Sequence, residues 1–172
     1  MPESAPTRLC FVCLGNICRS PTAEAVMATL AAADGLEHLV EVDSAGTGGW
    51  HVGDPPDHRA IAAAAQRDIP MAHLRGRKFT SADFDRFDLV LAMDHDNLRD
   101  LRDLAPDGAA ADRVHLLRWF DPARGDHDAL GYDHAVPDPY YGGADGFDLV
   151  LDLVDAACRG LLDHLTAGRD PA

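Results

Sequence analysis

The sequence predicts an α/β fold: a small four-stranded parallel sheet flanked by helices on both faces. Three observations carry this expectation. Short apolar runs alternate with segments of helical period along the chain, the pattern of strand–helix–strand units. The first of these runs passes through a tight loop directly into a helix. The last helical segment carries one continuous apolar stripe, which has to be covered by another layer. At 172 residues, the chain fits a single domain over 1–172 that buries about 70% of its unfolded surface. The ends, about 1–6 and 167–172, are expected to be flexible.

Residues 8–13 form the first strand, apolar enough to be covered on both faces. The first helix runs from about 21 to 33 and turns Ala23, Val26, Met27, Leu30 and Ala31 to one side. Ser20 is a good N-cap for it, and Pro21 suits the first helical position. Residues 39–45 alternate as a second strand, and 46–56 form a loop rich in Gly and Pro that carries Trp50 and His51. A second helix at about 57–67 is an alanine run of good intrinsic propensity. Residues 87–93 are the third strand, after which Asp94 caps a helix bearing Leu98, Leu101 and Leu104. Residues 114–117 are the fourth. The segment 118–144 is long and punctuated by prolines, and loops of that length in compact domains are mostly functional. The last helix, about 146–165, is capped by Asp145 and exits at Gly168.

The string Cys13-Leu14-Gly15-Asn16-Ile17-Cys18-Arg19-Ser20-Pro21 occupies the first strand–helix junction. A loop ending at a helix N-terminus collects unpaired N–H groups and the positive end of the helix dipole, which suits a dianion such as phosphate. Gly15 permits a tight turn, and Asn16 tolerates left-handed torsions. A thiol in that field is biased toward the thiolate, while the Arg19 guanidinium can grip two phosphate oxygens. The loop therefore reads as a nucleophile in an anion cradle, with the amides of residues 14–20 and Arg19 as phosphate ligands. A Cys followed six residues later by Arg is common by chance. The complete string at a strand-to-helix junction is far more specific. In doubly wound sheets ligands bind at the C-terminal strand ends, where residue 13 lies.

A phosphoryl group leaving an oxygen for Cys13 requires a proton for that oxygen. Asp138, braced between Pro137 and Pro139 in the long segment, is the best candidate; the plainer reading is a turn aspartate. Tyr140 and Tyr141 either cover the core or wall an aromatic slot, and Trp50, flanked by a glycine-rich loop, is the candidate for the opposite wall. Cys10 and Cys13 lie in one extended strand with Cα atoms about 10 Å apart, beyond the roughly 7 Å a disulfide allows, so Cys10 reads as a core thiol. Cys13 and Cys18 span a tight loop and could come within bonding range. The thiols lack a fourth ligand at zinc spacing, and no metal is expected.

Three of the four cysteines cluster near the N-terminus, a pattern of reducing compartments rather than of disulfide frameworks. No secretory signal precedes the first strand, and no apolar run approaches the roughly 20 residues that span a bilayer. Cytoplasm is the expected location, and export without a cleavable signal is compatible with the sequence. The net charge of −14 argues against nucleic acid or an anionic membrane as partner. It also means that any phosphate site must work through local donors.

The nine-residue string, together with Asp43-Ser44-Ala45-Gly46-Thr47, Trp50-His51-Val52-Gly53, Ala92-Met93-Asp94 and Asp138-Pro139-Tyr140-Tyr141, resembles the low-molecular-weight protein tyrosine phosphatases, in a plain bacterial form. The blocks follow the family's order over about 8–165. The resemblance implies hydrolysis of phosphotyrosine proteins through a cysteinyl-phosphate intermediate, without cofactor or metal, and inorganic phosphate as product and inhibitor. It matches Cys13 to the nucleophile, Arg19 to the phosphate-binding arginine and Asp138 to the general acid, then base. Ser20 matches the hydroxyl that stabilises the thiolate, and Asn16, Ser44 and His73 match a network that holds the loop. Trp50, Tyr140 and Tyr141 match the substrate rim, and Cys18 matches a cysteine that bonds reversibly to the nucleophile under oxidation. The segment 121–135 looks longer and more acidic than a typical member's. Arsenate reductases share the fold, but their chemistry, as that family implies it, relays a disulfide through a mid-chain cysteine pair. This chain has no cysteine between Cys18 and Cys158.

Overall fold

The computed structural model describes residues 4–124 and 133–168. Strand β1 (Thr7–Cys13) is its centre, and its side chains alternate between two cores. Leu9, Phe11 and Cys13 join one cluster, while Cys10 and Val12 join the other. Both edges of β1 are paired in parallel, by β2 (Val40–Gly46) on one side and β3 (Leu89–Ala92) on the other. A short β4 (Val114–Leu116) completes the order β2-β1-β3-β4. The chain thus steps outward from β1 to β2 and then crosses back past β1 to β3. This reversal of strand order opens a crevice at the C-terminal end of β1.

Helices α1 (Arg19–Ala33) and α5 (Asp145–Ala167) cover one face, with α2 (His58–Ala65) beside them. Helix α3 (His95–Leu104), the one-turn α4 (Gly108–Ala111) and a 3-10 turn at Ser81–Asp85 cover the other, around Phe79, Phe84 and Leu101. The stripe expected on α5 is the one observed: Phe147, Val150, Leu151, Val154, Ala157, Cys158, Leu161 and Leu162 are all buried. No helix among the described residues is long and apolar enough to cross a membrane.

Two expected caps are corrected. Helix α1 begins at Arg19, with Cys18 in the cap position and no side-chain capping bond. Ser20 is already helical, and its hydroxyl turns back toward Cys13. Asp145 opens α5 as its first residue, while Ala144 takes the cap position. Asp94 caps α3 as expected, accepting from Asn97 N at 2.7 Å, and Asp57, expected inside α2, caps that helix by accepting from Arg59 N at 2.8 Å. In the long segment, Arg118 is wholly buried and donates to Ala135 O at 2.8 Å. Of the stretch 121–135, residues 125–132 lie outside the described residues, as do 1–3 and 169–172 of the expected flexible ends.

Candidate active site

The loop between β1 and α1 is shaped by Asn16, whose φ of 56° is the left-handed conformation that asparagine tolerates. Its buried amide is a hub. Nδ2 donates to Ser20 Oγ at 2.7 Å and to Ser44 Oγ at 3.0 Å, and Oδ1 accepts from Arg77 N at 3.1 Å. Its backbone N–H points at Cys13 Sγ, 3.3 Å away. Neighbouring backbone pins the loop from outside: Thr47 N donates to Cys13 O, Gly48 N to Leu14 O and Asp57 N to Ile17 O, all within 2.9 Å. The first two bonds need close approach. A Cβ on Gly46 would stand 2.7 Å from Leu14 O, so the end of β2 must be glycine. Among the described residues, the N–H groups of Leu14, Gly15, Ile17 and Cys18 have no acceptor, as an anion cradle requires.

Cys13 lies at the floor, 3% exposed, with Ser20 Oγ 3.0 Å from its sulfur. Arg19 is about as buried and lines the same cleft. Its Nη1 donates to Asp94 Oδ2 at 2.6 Å and to Val136 O at 3.2 Å, and its Nη2 lies 3.8 Å from Asp138 Oδ2. Burial works against the guanidinium, but the adjoining Cys13 and Asp94 outweigh it and raise the Arg19 pKa further. Asp94 therefore has two functions, one oxygen capping α3 and the other aiming Arg19. Across the mouth, the Asp138 carboxylate accepts from Tyr140 N at 3.0 Å and is about half exposed. The tyrosines meet edge to face, with ring centroids 4.9 Å apart. Trp50 and His51 form the other wall of a cleft of about 210 Å³.

Cys13, Arg19, Asp138, Trp50, Tyr140, Tyr141 and Cys18 all line this one cleft, although 128 residues separate Cys13 from Tyr141. Asn16, Ser20 and Ser44 form the hydrogen-bonded support beneath it. His73 does not join them. It is exposed on a different cavity, with Glu24 and Val42, and Asn16 Oδ1 instead accepts a hydrogen bond from Arg77 N. The chain near 73 turns outward before it returns to the loop, so the contact passes to the backbone of residue 77. Cys18 is buried beside Asp57 and Asp138, and burial followed by these charges pushes its thiol up to about 12. Sequence reasoning missed the second role of Asp94, the Arg77 contact and His51, whose ring would lie 3.3 Å from a Cβ on Gly15. The Trp50-His51-Val52-Gly53 block was a signal for the last and the Ala92-Met93-Asp94 block for the first; nothing local marks Arg77.

The family model for the low molecular weight phosphotyrosine protein phosphatases matches residues 8–170. The chain belongs to this family. The phosphatase is 52% identical over 155 residues to a low molecular weight protein-tyrosine-phosphatase of Streptomyces coelicolor, covering 90% of this chain and 91% of that one. It is 38% identical over 164 residues to the human low molecular weight phosphotyrosine protein phosphatase, covering 95% and 98%. Among solved structures, it is similar to the crystal structure of YfkJ from Bacillus subtilis, with a TM-score of 0.87 and 35% identity over 98% of this chain and 100% of that one. The four-stranded parallel sheet of this phosphatase is thus shared with family members of known structure.

Proposed function

We propose that this phosphatase hydrolyses phosphotyrosine in proteins by two in-line transfers at Cys13. The observation that carries the reading is Arg19: one buried guanidinium lies at the Cys13 loop and within 3.8 Å of the Asp138 carboxylate. In the first transfer the Cys13 thiolate attacks phosphorus. The bond from phosphorus to the phenolic oxygen breaks, and protonated Asp138 gives that oxygen its proton. Arg19 and the loop amides of residues 14–20 bind the equatorial oxygens, whose negative charge is largest at the transition state. In the second transfer the Asp138 carboxylate takes a proton from water as that water attacks the cysteinyl phosphate. The S–P bond breaks, and the Ser20 hydroxyl, 3.0 Å from the sulfur, stabilises the returning thiolate.

Trp50, Tyr140 and Tyr141 suit a flat aromatic ring between them, which favours phosphotyrosine over the shorter phosphoserine. Inorganic phosphate, the product, inhibits by occupying the same cradle, and the enzyme works in the cytoplasm. Cys13→Ser is expected to abolish turnover yet retain vanadate or phosphate binding. Asp138→Asn is expected to slow esters of poor leaving groups by about 10²-fold or more, and activated aryl phosphates far less. Equal slowing of both classes would remove Asp138 from the role of acid.

A further inference from the structure

We propose that Arg59 is a positioning residue for proton transfer, clamping the Asp138 segment to the nucleophile loop. The clamp is a chain of short contacts. Asp57 N donates to Ile17 O at 2.8 Å, which fixes Asp57 against the loop. The Asp57 carboxylate receives Arg59 Nε at 3.0 Å and Nη2 at 2.9 Å, a two-pronged grip. The same Nη2 donates to Tyr140 O at 3.0 Å. Tyr140 N in turn donates to Asp138 Oδ1 at 3.0 Å. The guanidinium also lies over the Tyr140 ring at 5.6 Å and over the buried Phe147 ring at 4.8 Å.

Asp138 needs such a device. Upstream, its segment is tied down at Val136, whose N–H donates to Met93 O at 2.7 Å and whose C=O accepts from Arg19. Downstream, before α5 begins, the tertiary hydrogen bond among the described residues is the one from Arg59 to Tyr140 O. Asp138 is thus suspended between two anchors, one tied to Arg19 and the other to Arg59. Proton transfer is sensitive to placement, and a displacement of about 1 Å can cost about 10²-fold. A guanidinium that bridges Asp57 and Tyr140 while stacked on two rings has a planar fork that an ammonium lacks. Arg59 does not line the cleft itself, so it acts through the segment it holds.

The inference rests on Asp138 as the proton donor, and the test separates the two. kcat/KM is measured for aryl phosphates of rising leaving-group pKa on the wild type, Arg59→Met, Arg59→Lys, Asp138→Asn and the Arg59→Met/Asp138→Asn double variant, alongside Tm and the inhibition constant for phosphate. Both Arg59 variants are expected to lose about tenfold or more on poor leaving groups and under about threefold on activated ones, with phosphate inhibition unchanged. The double variant is expected to be no slower than Asp138→Asn, because a mispositioned acid no longer matters once it is absent. Arg59→Lys, which keeps the charge beside Asp57, carries the test if Arg59→Met does not fold. Equal losses on all esters with weakened phosphate inhibition, wild-type behaviour of Arg59→Lys, or additive losses in the double variant would each overturn the clamp. Uniform behaviour of Asp138→Asn itself would overturn the acid assignment and the clamp with it.

Discussion

Cys13 and Cys18 occupy the same loop in opposite chemical settings. Cys13 meets a hydroxyl and an amide N–H, whereas burial first, and then the charges of Asp57, Cys13 and Asp138, push the Cys18 thiol up to about 12. A thiol shifted upward is mostly protonated at pH 7, and the thiolate is the species that forms disulfides. If peroxide converts Cys13 to a sulfenic acid, Cys18 attacks that sulfur and water leaves, closing a reversible disulfide. The ionisation makes this closure pH-dependent. Its rate after a brief peroxide pulse, followed by mass spectrometry, is expected to rise about tenfold per pH unit above 7. Cys18→Ser is expected to proceed to irreversible oxidation. A rate flat in pH would mean that ionisation of Cys18 does not govern the step.

Helix α1 carries both Arg19 and, one turn later, Glu24, a carboxyl buried at its side. Burial first, and then the adjoining Asp43, push Glu24 up to about 7. The sign follows from linkage: the unfolded chain releases this proton near its ordinary value of 4.5, while the fold retains it until about 7. Stability therefore falls as pH rises between these values, by about 3 kcal/mol, and levels off above them. Glu24→Gln is expected to remove this slope, leaving the variant roughly 10 °C higher in Tm than the wild type at pH 8 and close to it at pH 4.5. Parallel Tm curves would show that Glu24 does not titrate so. The elements themselves were legible in the sequence because strand runs, the α5 stripe and the Asp94 cap depend on residues a few positions apart. Partner choice was not. That Asp94 also receives Arg19, 75 residues upstream, and that Arg77 N takes the contact expected of His73, are set by where the sheet brings the chain back. The Ser20 cap failed for a related reason, since Cys13 competes for its hydroxyl.

Over the whole molecule, the charge of −14 surrounds a site made for anions. Attraction is therefore confined to the cleft, while approach is opposed by the surface. Raising salt from about 20 to about 200 mM shortens the reach of that repulsion. For an acidic phosphotyrosine peptide, kcat/KM is expected to rise about two- to fivefold across this range, and for a basic peptide of equal length to fall. Identical salt profiles for the two peptides would place the acidic surface away from the approach path.

Strand β1 is hydrogen-bonded along both edges and ends at Cys13. Amide exchange in such a central strand proceeds only through global unfolding, whereas segments held by a few tertiary bonds open at much lower free energy. The two partners in the chemistry therefore belong to different cooperative units, the sulfur to the central strand and the Asp138 carboxyl to a segment outside helix and strand, tied at Ala135, Val136 and Tyr140. In mild denaturant the enzyme should forfeit its general acid before its nucleophile, becoming a catalyst that still cleaves activated esters and no longer cleaves tyrosyl ones.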